Sequence, residues 1–475
     1  MLTARPDGTG GLLRMTNAGA AEEPRVDRSQ AAQALTLFSF FWGAATLFHI
    51  ASYNQWGHSR MLVFAAVALL LRPQSTVALA VVAVLQIYKA VEISPFIPNH
   101  WLFTALSNAG ILLAVVTLAV RKPRDVERSA VYAASAPAAR LALIVLYFFV
   151  VFHKLNADFF DRAVSCGSVF YATQLDRMPF LPLTPATEYA AIYGAIGIEA
   201  LIPILLSVPR TTLAGILLAA GFHCFLTINP TDRFYNFSAM LIAAFLLFVP
   251  PAVLASWLNR IGERRLLLAG LALTGSFGVS AWIVRSADRM AAIHHLDPFF
   301  ILWNVYSVVL IVLFAREAAR HRWTPMSPAG LFRLPIGILA LVPVAALLNG
   351  LAPYAGLKTE SAWAMFANLR TEGDRSNHLL VPASTQIFDY QRDLVQVTGS
   401  SDRYLQSVAS KGQLIPYFEL RRRPDVAVSY VRGGVEQRFA RLADDPAFAG
   451  EPPWAMRKLL LFRPISGGPR QECQH

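Results

Sequence analysis

The chain has 475 residues, 55% of them hydrophobic and 15% charged, with mean hydropathy +0.44 and a formal net charge of +12. A soluble fold cannot hide that much apolar helix surface, so the composition excludes an ordinary soluble protein and points to a polytopic helical membrane protein. The positive charge does not call for nucleic acid. Its densest groups before the last apolar run lie in short loops: Arg121, Lys122, Arg124 and Arg128; Arg260, Arg264 and Arg265; Arg316, Arg320 and Arg322.

Residues 1–30 are polar, rich in Gly, Ala and Arg, and lack the short apolar region of a signal peptide; they read as a disordered cytoplasmic tail. Apolar segments then follow at about 32–52, 61–71, 75–91, 101–120, 141–152, 188–208, 211–228, 237–257, 266–284, 298–315 and 334–351. The short segment 61–71 reads as a span or as a re-entrant or tilted piece, because a full crossing needs about 17–25 residues. Loops 121–140, 209–210, 258–265 and 316–333 all carry Arg and alternate with loops that hold Pro, Asn, aromatic residues and histidines, which places the first set and the N-terminus on the cytoplasmic side. Residues 352–475 are polar, with nearly balanced charge. Short alternating runs occur there, such as Gln386–Tyr390 and Leu414–Leu420. The expected fold is an all-α polytopic membrane bundle of about 9–11 transmembrane helices over residues 31–351. A small extracytoplasmic C-terminal α+β domain over 352–475 completes it.

Polar groups inside or at the rim of a bilayer are costly and need a reason. His100 opens one apolar segment, and His153 and Lys154 close the next. Glu199 lies inside the segment after that, two to three turns below its outer end, and His223 lies near the outer end of its own. Each has a plain structural reading. Lys154 snorkels to the headgroups, His100 caps a helix, Glu199 ties two helices together, and His223 is a satisfied core histidine. The topology nevertheless gathers them near one side, as a pocket would. A neutral lysine there is a good general base if its ammonium form is desolvated, and a nearby carboxylate would oppose that. Cys166, Cys224 and Cys473 have no metal-ligand spacing, and no metal is expected. Cys166 and Cys224 both fall near the outer side, which allows a disulfide between them.

The ordered motifs resemble a known family. Tyr147-Phe148-Phe149 with Lys154-Leu155-Asn156-Ala157-Asp158-Phe159 resembles a helix end of vitamin K-dependent gamma-glutamyl carboxylases and of their bacterial relatives with the horizontally transferred transmembrane (HTTM) domain. Pro98-Asn99-His100-Trp101-Leu102, Gly221-Phe222-His223-Cys224, the acid at Glu199, and Met365–Gly373 with Ser376–Leu379 are similar to further motifs in the same order. The likeness covers about residues 30–390. It implies a bacterial inner (plasma) membrane protein with reduced vitamin K or menaquinol as cofactor. Carbon dioxide and oxygen would be small reactants, and a protein outside the cytoplasm a partner. Lys154 would be the initiating base and His100 the group that stabilises the developing anion. Asn99, Glu199, His223 and His153 would line the substrate pocket. The chain departs from the family at Asn229–Asn236 and lacks the long C-terminal β-rich region of the animal enzymes. A non-enzymatic transporter or scaffold subunit is the competing class, although no internal repeat of the kind many transporters carry is present.

Overall fold

The computed structural model describes residues 27–52, 59–123, 126–229, 234–287, 297–320 and 323–474. Most of the tail expected at 1–30 lies outside them. Helix α1 (Arg28–Ser52) is the centre of the bundle and is buried along almost its whole length. Around it run α2 (Arg60–Leu71), α3 (Thr76–Ile93), α4 (Asn99–Arg121) and α5 (Arg128–Lys154). Two short helices, α6 (Ala157–Phe160) and α7 (Cys166–Gln174), lead into α8 (Pro185–Ser207) and α9 (Thr212–Leu226). The bundle continues with α10 (Tyr235–Phe245), α11 (Pro251–Ile261), α12 (Glu263–Ala287), α13 (Pro298–Arg320), α14 (Pro328–Phe332) and α15 (Leu341–Ala355).

Among the described residues, eight helices are long and apolar enough to cross a membrane, or nine if one bent pair is counted as a single span. That is the lower edge of the expected 9–11, for two reasons. Helices α2 and α9, with 12 and 15 residues, are too short to count. The apolar run 237–257 is not one helix: α10 and a 3₁₀ turn, Leu246–Phe248, meet α11 at 112°. Pro250 and Pro251 sit at this corner, and neither can donate a helical hydrogen bond.

A second difference concerns α5. The basic loop expected at 121–140 is helical from Arg128 onward, so α5 is 27 residues long. Arg140 is therefore not a loop residue but lies inside the bundle, 2% exposed. Its guanidinium donates to the carbonyls of Leu247 (2.7 Å), Gly330 (2.9 Å) and Leu331 (3.0 Å). The bend between α10 and α11 frees the first of these acceptors, and Arg140 supplies a donor where water cannot.

Helix α15 packs closely on α5. Gly350 makes this possible, because a Cβ there would overlap the Phe149 ring. The helix ends at Gly356, whose φ of 80° is the left-handed cap that glycine adopts without strain.

The rest of the chain forms a small unit on one end of the bundle. Strands β1 (Leu394–Ser400), β2 (Gln413–Pro416), β3 (Val428–Arg432), β4 (Val435–Phe439) and β5 (Ile465–Ser466) pair antiparallel in the order β4-β3-β1-β2-β5. Three short helices accompany them: α16 (Arg403–Ser410), α17 (Tyr417–Leu420) and α18 (Trp454–Leu459). Val395, Val397, Leu405, Ile415 and Tyr430 form the unit's own core. Of the two alternating runs, Leu414–Leu420 contributes β2 and α17, whereas Gln386–Tyr390 is irregular.

Candidate functional site

Helix α5 ends at Lys154 because the next residues bind elsewhere. Asn156 caps α6 by accepting from Phe159 N–H (2.8 Å), and its side-chain amide donates to the carbonyls of His153 (2.7 Å) and Ala367 (2.5 Å). Asp158 accepts from Asn377 (2.6 Å) and from the backbone of Gln471 (3.0 Å). The turn after Lys154 is thus clamped to the C-terminal unit, and the lysine's direction is fixed by it.

That direction is inward. Lys154 is 5% exposed, and its ammonium forms an ion pair with the carboxylate of Glu199 on α8. It also lies 5.8 Å from the centre of the Phe159 ring. Both partners line a cavity of about 880 Å³, mostly apolar, between the bundle end and the C-terminal unit. Glu199 is fourteen residues along α8 from Pro185, about 20 Å at the helical rise, so the cavity is deep. Lys154 therefore points into the cavity and its ammonium is paired there, on Glu199.

Periodicity explains what joins it. Tyr147 and Val150 lie two turns and one turn before Lys154 on the same face of α5, and both line the cavity. Tyr147 is hydrogen-bonded to His223 of α9 at 2.7 Å, and His223 also lines the wall. From the first turn of α4 come Asn99 and His100. The Asn99 side-chain carbonyl accepts from Trp363 N–H (2.7 Å), while the His100 ring lies 4.6 Å from that of His49 and 5.9 Å from Phe237. His49 is fully buried and stacked on Trp101, and among the described residues neither of its ring nitrogens has a hydrogen-bond partner.

His153 does not belong to this wall. One residue of helix turns it about 100° away, to Tyr354 Oη (2.8 Å) and the carbonyl of Ala362 (2.9 Å). Its place as a pocket residue is corrected accordingly: it fixes α5 to α15 and to the loop above. The disulfide also differs from the one considered. Cys166 pairs with Cys473 and Cys224 is free, so the bond ties the C-terminal tail to α7 beside the cavity.

The roof comes from Phe366, in the Met365–Gly373 motif, and from residues that the local sequence did not single out, among them Glu360, Ser361 and Arg463. Its backbone is unusual: Ser361, Trp363, Phe366 and Asn368 have φ between 49° and 64°. Such left-handed non-glycine residues cost of order 1–3 kcal/mol each and persist where the surroundings force them. Trp363 is held by Asn99 and by its indole N–H to the Ala346 carbonyl (2.8 Å), and Asn368 by the carbonyls of Val164 (2.8 Å) and Gln471 (2.9 Å). Just before the roof, burial lowers the Lys358 ammonium to about 8, against the pull of Glu360. Burial raises the Glu360 carboxyl, against Arg463. Among the described residues, no group of three or more His, Cys, Asp or Glu is placed to hold a metal ion.

The geometry describes an apolar chamber with one buried acid–base couple and two histidines on its wall. Comparison of the chain with family models, with curated proteins and with solved structures returns no match.

Proposed function

We propose that this chain is a multi-pass membrane enzyme. It takes a lipophilic quinol of the vitamin K or menaquinol class into the cavity and uses Lys154 as the base on a quinol hydroxyl. The observation that carries the reading is the Lys154–Glu199 couple on the wall of an apolar cavity of about 880 Å³. That volume lies in the range of small-molecule sites, and an apolar lining with a few convergent polar groups suits an aromatic head with hydroxyls. A quinol in the site would supply an acidic hydroxyl and a reducing ring. The motif resemblance to gamma-glutamyl carboxylases supports the same assignment and extends it to oxygen and carbon dioxide as co-reactants.

The chain's own part is proton handling. A carboxylate beside an ammonium holds the proton on the amine in a wet site. When an apolar molecule fills the chamber and excludes water, the charged pair loses solvation, and the neutral amine–carboxylic acid form gains relative to it. Glu199 then serves as the store for the proton that Lys154 must give up before it can accept one from a hydroxyl. His100 faces the same space and is the donor proposed for the anion that results. The Tyr147–His223 bond ties α5 to α9 in the cavity wall. Asn99 keeps the roof in place through Trp363.

The same reading places the chain in a bacterial plasma membrane. The Arg-bearing ends of α4, α11 and α13 lie in the cytoplasm, and the C-terminal unit with its disulfide lies outside. The test is quinol-dependent oxygen uptake or carbon dioxide fixation by the purified protein, its Lys154→Ala and its Lys154→Arg variants. Full retention of activity by both variants rejects the base assignment. The broken α10–α11 helix favours a second reading, a transporter. Flux in proteoliposomes that Glu199→Gln abolishes and Lys154→Ala leaves intact would select that one.

A further inference from the structure

The apolar surface of the bundle does not stop where the helices stop. On α3 the exposed stripe runs through Val84, Tyr88 and Val91, and on α15 through Val344, Leu348 and Leu351. Directly beyond these ends, the C-terminal unit presents six large apolar side chains to the outside: Leu379, Leu380, Ile387, Phe388, Trp454 and Leu459. Ile387 is the most exposed at 78%, and even Phe388 is 40% exposed.

Their height is fixed by backbone bonds to the helix ends. Leu379 N–H donates to the Leu155 carbonyl (2.9 Å) just past α5. Ile387 and Phe388 donate to the Ala355 carbonyl (3.1 and 3.0 Å) at the last residue of α15. Lys458, on α18 between Trp454 and Leu459, donates to the carbonyls of Val91, Glu92 and Ser94 at the end of α3. Three separate segments of the unit thus set apolar side chains at one level, the level at which three helices end. Isolated exposed apolar residues need no explanation, but a set continuous with helix faces that are themselves apolar does.

We infer that these six side chains sit in the bilayer interface, so that the underside of the C-terminal unit is immersed among headgroups and upper acyl chains rather than held clear in water. The partner is the lipid surface itself. Aromatic and aliphatic side chains at this depth gain burial, and the Lys458 ammonium, donated to helix-end carbonyls, sits at the level where interfacial lysines meet headgroups. The seating holds the roof over the cavity from outside, as Asn99 and Asn156 hold it from within. The inference rests on the membrane-spanning reading of the bundle and not on the proposed chemistry.

The test is site-directed spin labelling of the full chain, with Cys224→Ser and the Cys166–Cys473 disulfide intact, in phosphatidylcholine vesicles. Labels are placed singly at Leu380, Ile387 and Leu459, at Val344 on α15, and at Glu436 on β4, the sheet edge farthest from β5. Collision with dissolved oxygen is compared with collision with a neutral water-soluble nickel chelate. At 380, 387 and 459 oxygen is expected to dominate, as at 344, and at 436 the ratio is expected to invert. If 344 favours oxygen while 380, 387 and 459 match 436, the inference is overturned and the spanning reading stands. If 344 also favours the nickel chelate, both fail.

Discussion

Helix α5 carries two buried cations, Arg140 at mid-helix and Lys154 at its end, and they are paired in opposite ways. Arg140 is surrounded by fixed neutral acceptors, the carbonyls of Leu247, Gly330 and Leu331, and it is not among the residues that line the large cavity. Lys154 faces a carboxylate across the wall of a large chamber. An arginine cannot give up its proton, so it suits a structural joint; a lysine beside an acid can, so it suits a site that must change state. Burial of a charge therefore does not mark a functional position. The nature of its partner and the space in front of it do.

The comparison breaks first at Arg140. Arg140→Met leaves three carbonyls without their donor at the α10–α11 corner, and the expected loss is about 3–5 kcal/mol of stability. Thermal unfolding in detergent would show it as the largest drop of any single substitution in the bundle. A change no larger than that of a surface control would mean that the corner is held by packing alone. At Lys154 the order of effects reverses. Lys154→Met should cost less stability, because Glu199 can become neutral when its partner is lost, and adding Glu199→Gln should recover most of that cost. Under the proposed function, activity falls by at least about 10²-fold in both variants. A Lys154→Met protein as destabilised as Arg140→Met would put the lysine in the structural class.

The sequence reading put one of these two cations in the wrong place, for a physical reason. Apolar runs reveal helices because the lipid-facing and core-facing surfaces are both apolar, and the bundle is legible on that ground. Lys154, Glu199, His100 and His223 stand out against such runs, and all four line one cavity. Their pairing was not legible, since nothing local says which carboxylate on another helix the lysine meets. Arg140 read as the end of a basic loop because its acceptors are 107 and 190 residues away. Pro250-Pro251 was a visible signal that the run 237–257 must break. Tyr147 could have been found from its seven-residue spacing to Lys154. The roof residues Glu360 and Arg463 could not, since their position depends on how the C-terminal unit docks.

The clamp on the end of α5 sharpens the contrast at a smaller scale. Asn156→Ala removes the α6 cap and the donors to His153 and Ala367 together. The expected cost is about 1–3 kcal/mol. Because the turn aims Lys154, hydrogen–deuterium exchange should rise at residues 153–160 and leave the Arg140 region unchanged. Equal loosening around Arg140 would show that α5 responds as one rigid rod, with no separate functional end.

The smallest effect expected is a pH dependence confined to the Lys154 end. His378 Nδ1 accepts the N–H groups of Leu380 and Val381, each at 3.1 Å, so its proton is on Nε2 and donates to the Phe152 carbonyl at 2.9 Å. Burial holds this imidazole below its ordinary value of 6.5, with the Phe152 bond acting in the opposite sense. The unfolded chain therefore takes up the proton first as pH falls. Stability contributed by neutral His378 is complete above about pH 7 and declines below about 6.5, because a proton on Nδ1 abolishes both accepted bonds. Glu360 acts in the opposite sense, since its carboxyl is raised and the folded state gains as it protonates. The measurement is thus a difference: unfolding temperature between pH 7.5 and 5 for the native chain and for His378→Gln. The native chain should lose more on acidification, and the excess should vanish in the variant. Parallel curves would remove His378 from the clamp and leave Asn156 and Asp158 to hold the lysine in place.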